Sequence, residues 1–167
     1  MSKNFWKKIL KYQEKPGWCG PAIAEMILKS AGIKKTQSEI AKDIYKPWWG
    51  TNQQILFAYL SKFFKQVNFR HNSNISHIKY HLKKGHIVVV NWWDDLEEDD
   101  ADGHYCIVAD YNKNSKKLTL IDPSTSRKGV WNISLKKFNS RWYDYLDIHG
   151  STWVDGWMLW LNPNSKL

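Results

Sequence analysis

The sequence predicts an α+β fold in which N-terminal helices pack on a C-terminal, mainly antiparallel β-sheet. Three observations carry this. Helix-starting signals at Gly20-Pro21, Thr36 and Thr51 precede any convincing strand. From Gly85 onward the apolar period changes to the runs expected of strands, as in His86-Ile-Val-Val-Val-Asn-Trp-Trp93. Near the C-terminus Asp155-Gly156 separates two short apolar runs, a strong two-residue hairpin signal.

Taken in order, Asn4 is placed to cap a short amphipathic helix carrying Phe5, Trp6, Ile9 and Leu10. A second helix runs from about Gly20 to Ser30. Gly20 permits a tight turn, Pro21 suits the first turn because its missing N–H would be unpaired there, and Ala22, Ile23, Met26 and Ile27 form an apolar stripe. Lys29 suits its C-terminal end, and Gly32 is the expected left-handed stop. Thr36 with Glu39 makes a capping box for a helix to about Tyr45 that buries Ile40, Ala41 and Ile44. Lys46-Pro-Trp-Trp-Gly50 breaks it. Thr51 with Gln54 reads as a second capping box, opening a helix through Ile55, Leu56, Tyr59, Leu60 and Phe63.

Val67 to Arg70 is a short strand candidate, and Ser76 is the expected cap of a helix ending at Gly85. The strands then follow: His86 to Trp93 as a central one, the run beginning at His104, Leu118 to Asp122, and Val130 to Ile133. Ser134 caps one more helix with Leu135, Phe138 and Trp142 on a face. Thr152 to Val154 and Trp157 to Leu161 complete the chain as a hairpin.

A chain of 167 residues without repeat, low-complexity block or linker is expected to be one domain, 1–167. It has no apolar run of 18 residues, and lysines interrupt the N-terminal stretch where a signal peptide would be apolar, so a cytoplasmic protein with no membrane span is expected. Two cysteines do not make a disulfide framework, and reduced thiols are expected. The formal charge of +9 conceals an asymmetry, because seven of the sixteen acidic residues lie between Asp94 and Asp102. Lysines are dispersed through every segment and no recognition motif is present, so no nucleic-acid partner is expected.

The chemistry centres on Gln13 to Ala22. Cys19 falls at a helix N-terminus, where partial positive charge and free N–H groups favour thiolate and can lower a cysteine pKa from about 8.5 to roughly 3.5–7.5. A nucleophilic thiol needs a base, a group to orient the base, and donors for the oxyanion. His104 begins a strand. Asp122 ends the next one, just before Pro123, and a turn from Asn112 to Lys117 would bring those two ends together. Gln13 offers a side-chain amide to the oxyanion beside the Cys19 N–H. Asp110 competes with Asp122 as the orienting acid, but it ends the strand His104 begins, roughly 20 Å away. His86 and His149 are lesser candidates for the base.

Gln13, Cys19-Gly20-Pro21-Ala22, Gly103-His104-Tyr105 and Asp122-Pro123 together resemble the C39-like branch of the papain-type cysteine peptidases. Gly50-Thr51, Leu82-Lys-Lys-Gly-His-Ile-Val-Val-Val, and Ser134-Leu-Lys-Lys-Phe138 with Trp142 resemble it between and after those motifs, so the likeness spans roughly residues 10 to 145. It implies a papain-like fold, a peptide or protein substrate and no cofactor. Cys19 would be the nucleophile, His104 the base, Asp122 the orienting acid and Gln13 the oxyanion donor. The same residues could run acyl transfer or deamidation, and the same fold could serve as a non-catalytic peptide-binding module. Family members that trim double-glycine leaders resemble Asp-Cys-Gly-x-Ala around the nucleophile, whereas Trp18 and Pro21 flank Cys19-Gly20 here, so that specificity is not inferred.

Trp18, Trp49, Trp92, Trp93 and Gly103 flank the motifs and are expected to line the substrate cleft. Cys106, mid-strand, is expected to be a packed core thiol. His77 and His81 have metal-ligand spacing on one helix face, but no third ligand accompanies them and no metal is expected. The acidic run Asp94–Asp102 reads first as a solvated loop. Its functional alternatives are a rim attracting Lys- or Arg-bearing substrates and, without the EF-hand spacing, an oxygen-ligand site for Ca²⁺.

Overall fold

A helix buried over nearly its whole length has to be central, and the run from Cys19 to Leu28, apolar but for Glu25, suits that place. In the computed structural model, which describes residues 3–96, 102–146 and 152–167, this helix, α2 (Cys19–Ser30), is buried from Cys19 through Leu28. Around it stand α1 (Lys3–Ile9), α3 (Gln37–Ile44) and α4 (Gln53–Leu60), and beyond them β1 (Val67–Arg70) and α5 (Ile75–Lys83). Then come β2 (Ile87–Asp94), β3 (Asp102–Asn112), β4 (Lys117–Ile121), β5 (Val130–Ser134), α6 (Leu135–Asn139), β6 (Tyr143–Tyr145), β7 (Trp153–Asp155) and β8 (Met158–Leu161). The described strands make a six-stranded sheet in the order β1-β8-β2-β3-β4-β5, antiparallel at every pairing, and a separate pair, β6-β7. The fold is α+β, as the sequence predicts.

Alternation along the strands gives the sheet two apolar faces. Val89, Tyr105, Ile107, Ile121 and Leu159 pack on α2 and its neighbouring helices. Val88, Val90, Trp92, Cys106, Val108 and Leu120 form the second core, with Ile78 of α5 and Phe138 of α6. The turn between β3 and β4 falls where the sequence predicts it, with Asn112 paired to Lys117.

Several expected details differ. Asn4 lies inside α1 rather than capping it. The cap of α4 is Asn52, whose Oδ1 accepts from the Gln54 N–H at 2.8 Å; Thr51 is buried against Gly20 instead. Asn74, not Ser76, caps α5, and the His77 ring returns the favour by accepting from the Asn74 N–H at 3.0 Å. Phe63 and Trp142 pack in the core from positions just past the ends of α4 and α6. Asp155-Gly156 is not a hairpin turn. Gly156, at φ +58°, makes a corner that sends β7 to β6 and β8 into the large sheet between β1 and β2. Its N–H donates to Trp142 O at 2.7 Å and its carbonyl accepts from the Ser73 N–H at 3.0 Å. The predicted caps at Thr36 and Ser134 and the left-handed Gly32 are present.

One contact ties α2 to the chain before α4. A Cβ built on Gly20 would lie 2.5 Å from both Cβ and Oγ1 of Thr51. Ala would gain about 1 kcal/mol of helix propensity over Gly. Overpacking against a β-branched side chain costs about 1–3 kcal/mol, so the clash wins. Gly20→Ala is expected to lower stability in chemical denaturation; an unchanged or raised midpoint would refute the close packing.

Candidate active site

Cys19 is the first residue of α2, and the residue before it, Trp18, supplies no side-chain cap. The dipole of a twelve-residue helix therefore points at the thiol, which is 8% exposed. Gln13 is held in front of it by its backbone. Its N–H donates to Pro123 O at 2.8 Å, while the buried Gln37 side chain donates to Tyr12 O at 2.8 Å and accepts from the Glu14 N–H at 3.0 Å. Gln37 in turn donates to Glu25 at 3.1 Å, fastening the segment to α2. Nothing in the sequence marks Gln37 beyond its place after the Thr36 cap.

The expected base and acid come from neighbouring strands. Cys106 in β3 lies next to Ile107, which pairs with Ile121 of β4, so Asp122 emerges just beyond that pairing. His104 is two residues from Cys106, on the same side of β3. The His104 Nε2–H donates to Asp122 Oδ1 at 2.7 Å. Asp122 is wholly buried and fully bonded: Oδ1 also accepts from the Ser124 N–H at 2.9 Å, and Oδ2 accepts from Arg127 Nη1 at 2.9 Å and Trp131 Nε1 at 2.8 Å. Arg127 continues to Asp94, 2.5 Å from Nη2, and so connects the start of the acidic run to the site.

These contacts decide the charges. Burial works against a charged imidazole, but the Asp122 carboxylate, helped by Cys106, outweighs it and holds His104 well above its ordinary 6.5. Burial likewise works against ionised Asp122; His104, Arg127 and the Ser124 N–H prevail and hold it well below the usual carboxylate range. The pair is an imidazolium and a carboxylate at neutral pH. Cys106 is a neutral core thiol, pushed up to about 12 by burial and by the Asp122 charge. The ligand-type atoms of His104, Cys106 and Asp122 lie within 4.8 Å of one another, close enough to share an ion. Such an ion would have to displace the four hydrogen bonds that Asp122 already accepts.

Two cavities open at this end of the sheet, and strand alternation separates them. On the His104 side, a cavity of about 200 Å³ is lined by Gln13, Cys19, His104, Asp94 and Arg127. On the other side, a pocket of about 50 Å³ is lined by Cys19, Thr51, Gln53, Asn91 and Asp144. Asp102 and Gly103 belong to both. Cys19, His104 and Gln13 are therefore brought to one cavity, with Asp122 buried behind His104.

The expected cleft residues divide. Trp49, half-exposed, lines the smaller pocket beside Tyr145, ring centroids 5.4 Å apart. Gly103 lies where a Cβ would meet the Asp144 carboxylate. Trp92 is 0% exposed and cannot form a wall; alternation along β2 turns it into the second core, toward Trp131 and Phe138. Trp18 is buried against Tyr45, and Trp93 stacks on Tyr143 at 6.2 Å; neither lines the two cavities. Asp110 is exposed on β3, His86 contacts His81 at 2.9 Å, and His149 lies outside the described residues. Of the acidic run, 97–101 also lie outside them. Asp144, Asn91, Gln53 and Arg127 were not singled out by the sequence. Alternation of Tyr143, Asp144 and Tyr145 is the one local signal that pointed to a buried acid.

No curated protein sequence matches the chain. Solved structures share its fold. A structure described as a C39-like peptidase from Bacillus anthracis is 14% identical with a TM-score of 0.65, covering 92% of this chain and 93% of that one. The peptidase domain of Streptococcus ComA, a bifunctional ABC transporter of a quorum-sensing pathway, is 16% identical with a TM-score of 0.65, covering 91% and 96%. A double-glycine-motif protease from an AMS/PCAT transporter, in complex with the leader peptide, is 13% identical with a TM-score of 0.62, covering 91% and 89%. Among the described residues no helix is long and apolar enough to cross a membrane. The family described as Peptidase_C39 like matches residues 7–147, and on that match over most of its length the chain belongs to the C39-like peptidase family.

Proposed function

We propose that the chain, acting as one domain over 1–167, is a cysteine peptidase that hydrolyses peptide bonds through a thioester. The observation that carries this reading is the buried His104–Asp122 pair, 2.7 Å apart, at a cavity that Cys19 and Gln13 also line. The Cys19 thiolate attacks the peptide carbonyl carbon, and the carbonyl electrons move to oxygen. The Gln13 side-chain amide and the Cys19 N–H donate to that oxyanion. As the C–N bond breaks, imidazolium His104 gives the leaving amine its proton through the ring nitrogen not committed to Asp122. Water then attacks the thioester, the now neutral His104 takes its proton, and the C–S bond breaks to release the acid and restore the Cys19 thiolate beside imidazolium His104. Asp122 keeps the imidazole oriented throughout and favours its charged form before and after each turnover.

A peptide substrate is supported by the neighbour bound to a leader peptide. Double-glycine leaders are not assigned, because Trp18 stands where that class resembles Asp before the nucleophile. The test is incubation of wild-type and Cys19→Ala protein with a peptide library in H₂¹⁸O, followed by mass spectrometry. New C-termini carrying one ¹⁸O, formed by wild type alone, are expected. Products joined to an amine, a side-chain amide converted to acid without chain cleavage, or no turnover would each replace hydrolysis with another reading.

A further inference from the structure

The pocket on the far side of Cys19 from His104 has a composition that peptide-bond chemistry does not require. Asp144 is 8% exposed, and Asn91 and Gln53 are buried beside it. Gln53 Nε2 donates to Asn91 Oδ1 at 2.8 Å, and the Asn91 side chain in turn hydrogen-bonds Asp144. That chain leaves Gln53 Oε1 without a hydrogen-bond partner, and Thr51 Oγ1 is likewise unpartnered; the two residues are 3% and 8% exposed and both line the pocket. Asp102 adds a second carboxylate at the mouth, bonded to Tyr145 OH at 3.0 Å. No Lys, Arg or His is among the described lining residues. Among the described residues the pocket is therefore a concave set of acceptors and negative charge with no cation built in.

Resting on the peptidase reading above, we infer that this pocket is a specificity site for a primary ammonium group on the acyl side of the scissile bond. The side follows from geometry. The leaving amine must reach His104, which lines the larger cavity, so the pocket that shares Cys19 and Gly103 but not His104 receives the other half of the substrate. A pocket of about 50 Å³ has room for a compact ammonium with a short piece of stem. An ammonium can donate three hydrogen bonds, matching Asp144, Gln53 Oε1 and Thr51 Oγ1. The Trp49 and Tyr145 rings at the rim cover the stem and favour a cation by their faces. Burial, with Asp102 nearby, pushes Asp144 up to about 7 against the Tyr145 N–H and Asn91 bonds, so a bound ammonium relieves an unpaired buried charge.

Lysine side chains and free peptide N-termini carry the same group, and the experiment separates them. Nα-acetylated peptidyl acyloxymethyl ketones with Lys or norleucine at either of the two residues before the ketone, and an unacetylated norleucine probe, are reacted with the protein at pH 8. Cys19 modification is followed by mass spectrometry. The Lys probe is expected to react at least tenfold faster than its norleucine twin, and this ratio should collapse to about one in Asp144→Asn, whose amide oxygen can still accept from the Tyr145 N–H. A preference for the unacetylated probe instead would assign the pocket to the N-terminus. Equal rates for Lys, norleucine and unacetylated probes in wild type, or a Lys ratio untouched by Asp144→Asn, would overturn the inference. If Cys19 proves inert to all electrophiles, the peptidase reading fails while the pocket is still decided by titrating n-butylammonium against n-butanol. Saturable shifts of the Gly103 and Tyr145 amide resonances with the ammonium alone, absent in Asp144→Asn, support the site, and no shift refutes it.

Discussion

Asp122→Ala is expected to lower the unfolding free energy by about 3–5 kcal/mol, because it removes one partner from a buried charged network. Asp122 is 0% exposed and bonds both His104 and Arg127, so solvent screens little of the loss. His104 can shed its proton in response; Arg127 cannot, and keeps its pairing with Asp94 while losing that with Asp122. At about 2–4 °C per kcal/mol for a chain of this size, Tm should fall by roughly 10 °C. Asp122→Asn, whose one amide oxygen retains an acceptor for Ser124 or for Trp131, should lose less. The pH dependence has a definite sign. Asp122 is depressed below its ordinary 3.8, so its contribution is present above that pH and is lost as the pH falls through the folded value. His104 is raised above 6.5, so its contribution is full below 6.5 and is lost as the pH rises through its folded value. Denaturant melts should show the widest gap between wild type and Asp122→Ala from about pH 4 to 6.5, narrowing in acid. A gap under 1 kcal/mol at pH 6 would contradict the network.

His104→Ala is expected to lower kcat/KM for any hydrolysed peptide by about 10³-fold or more. General acid–base catalysis by a placed side chain is worth about 10²–10⁴. Here the same imidazole also stabilises the thiolate it serves, so the loss belongs at the upper end. The residual activity should rise with pH toward that of an unassisted thiol near 8.5, whereas wild type should be active well below it. A tenfold loss, or an unchanged pH profile, would move the base elsewhere.

The sequence made Cys19, His104 and Asp122 readable because each stands at an element boundary with its own local grammar: a helix start at Cys19-Gly20-Pro21, a strand start at Gly103-His104, a strand end at Asp122-Pro123. The register of β3 on β4 does the rest. Other features depended on competition that local patterns do not resolve. Thr51 and Asn52 are both capable caps, and Thr51 is claimed by contact with Gly20. Asp-Gly favours a hairpin, but a left-handed Gly156 serves a corner equally well when β6 and β2 offer better partners to β7 and β8. Trp92 and Trp93 are adjacent aromatics beside a motif, and strand alternation sends the first inward and leaves the second against Tyr143. Asp144 was hard to see as a site residue because it arrives on β6, a strand of three residues that pairs with β7 outside the large sheet. Arg127, in a turn with no distinctive pattern, joins the acidic run to Asp122 only once the sheet has formed.

The claim on which the functional account depends is that an imidazolium from β3 activates the thiol at the start of α2. Alkylation of the native protein by iodoacetamide at pH 6.5, with peptide mapping to separate Cys19 from Cys106, measures this without any knowledge of the substrate. Rapid modification at Cys19 that slows by at least tenfold in His104→Ala, with Cys106 unmodified in both, is the predicted result. Cys19 reacting at the same slow rate in both proteins, as an ordinary thiol does at that pH, would contradict it.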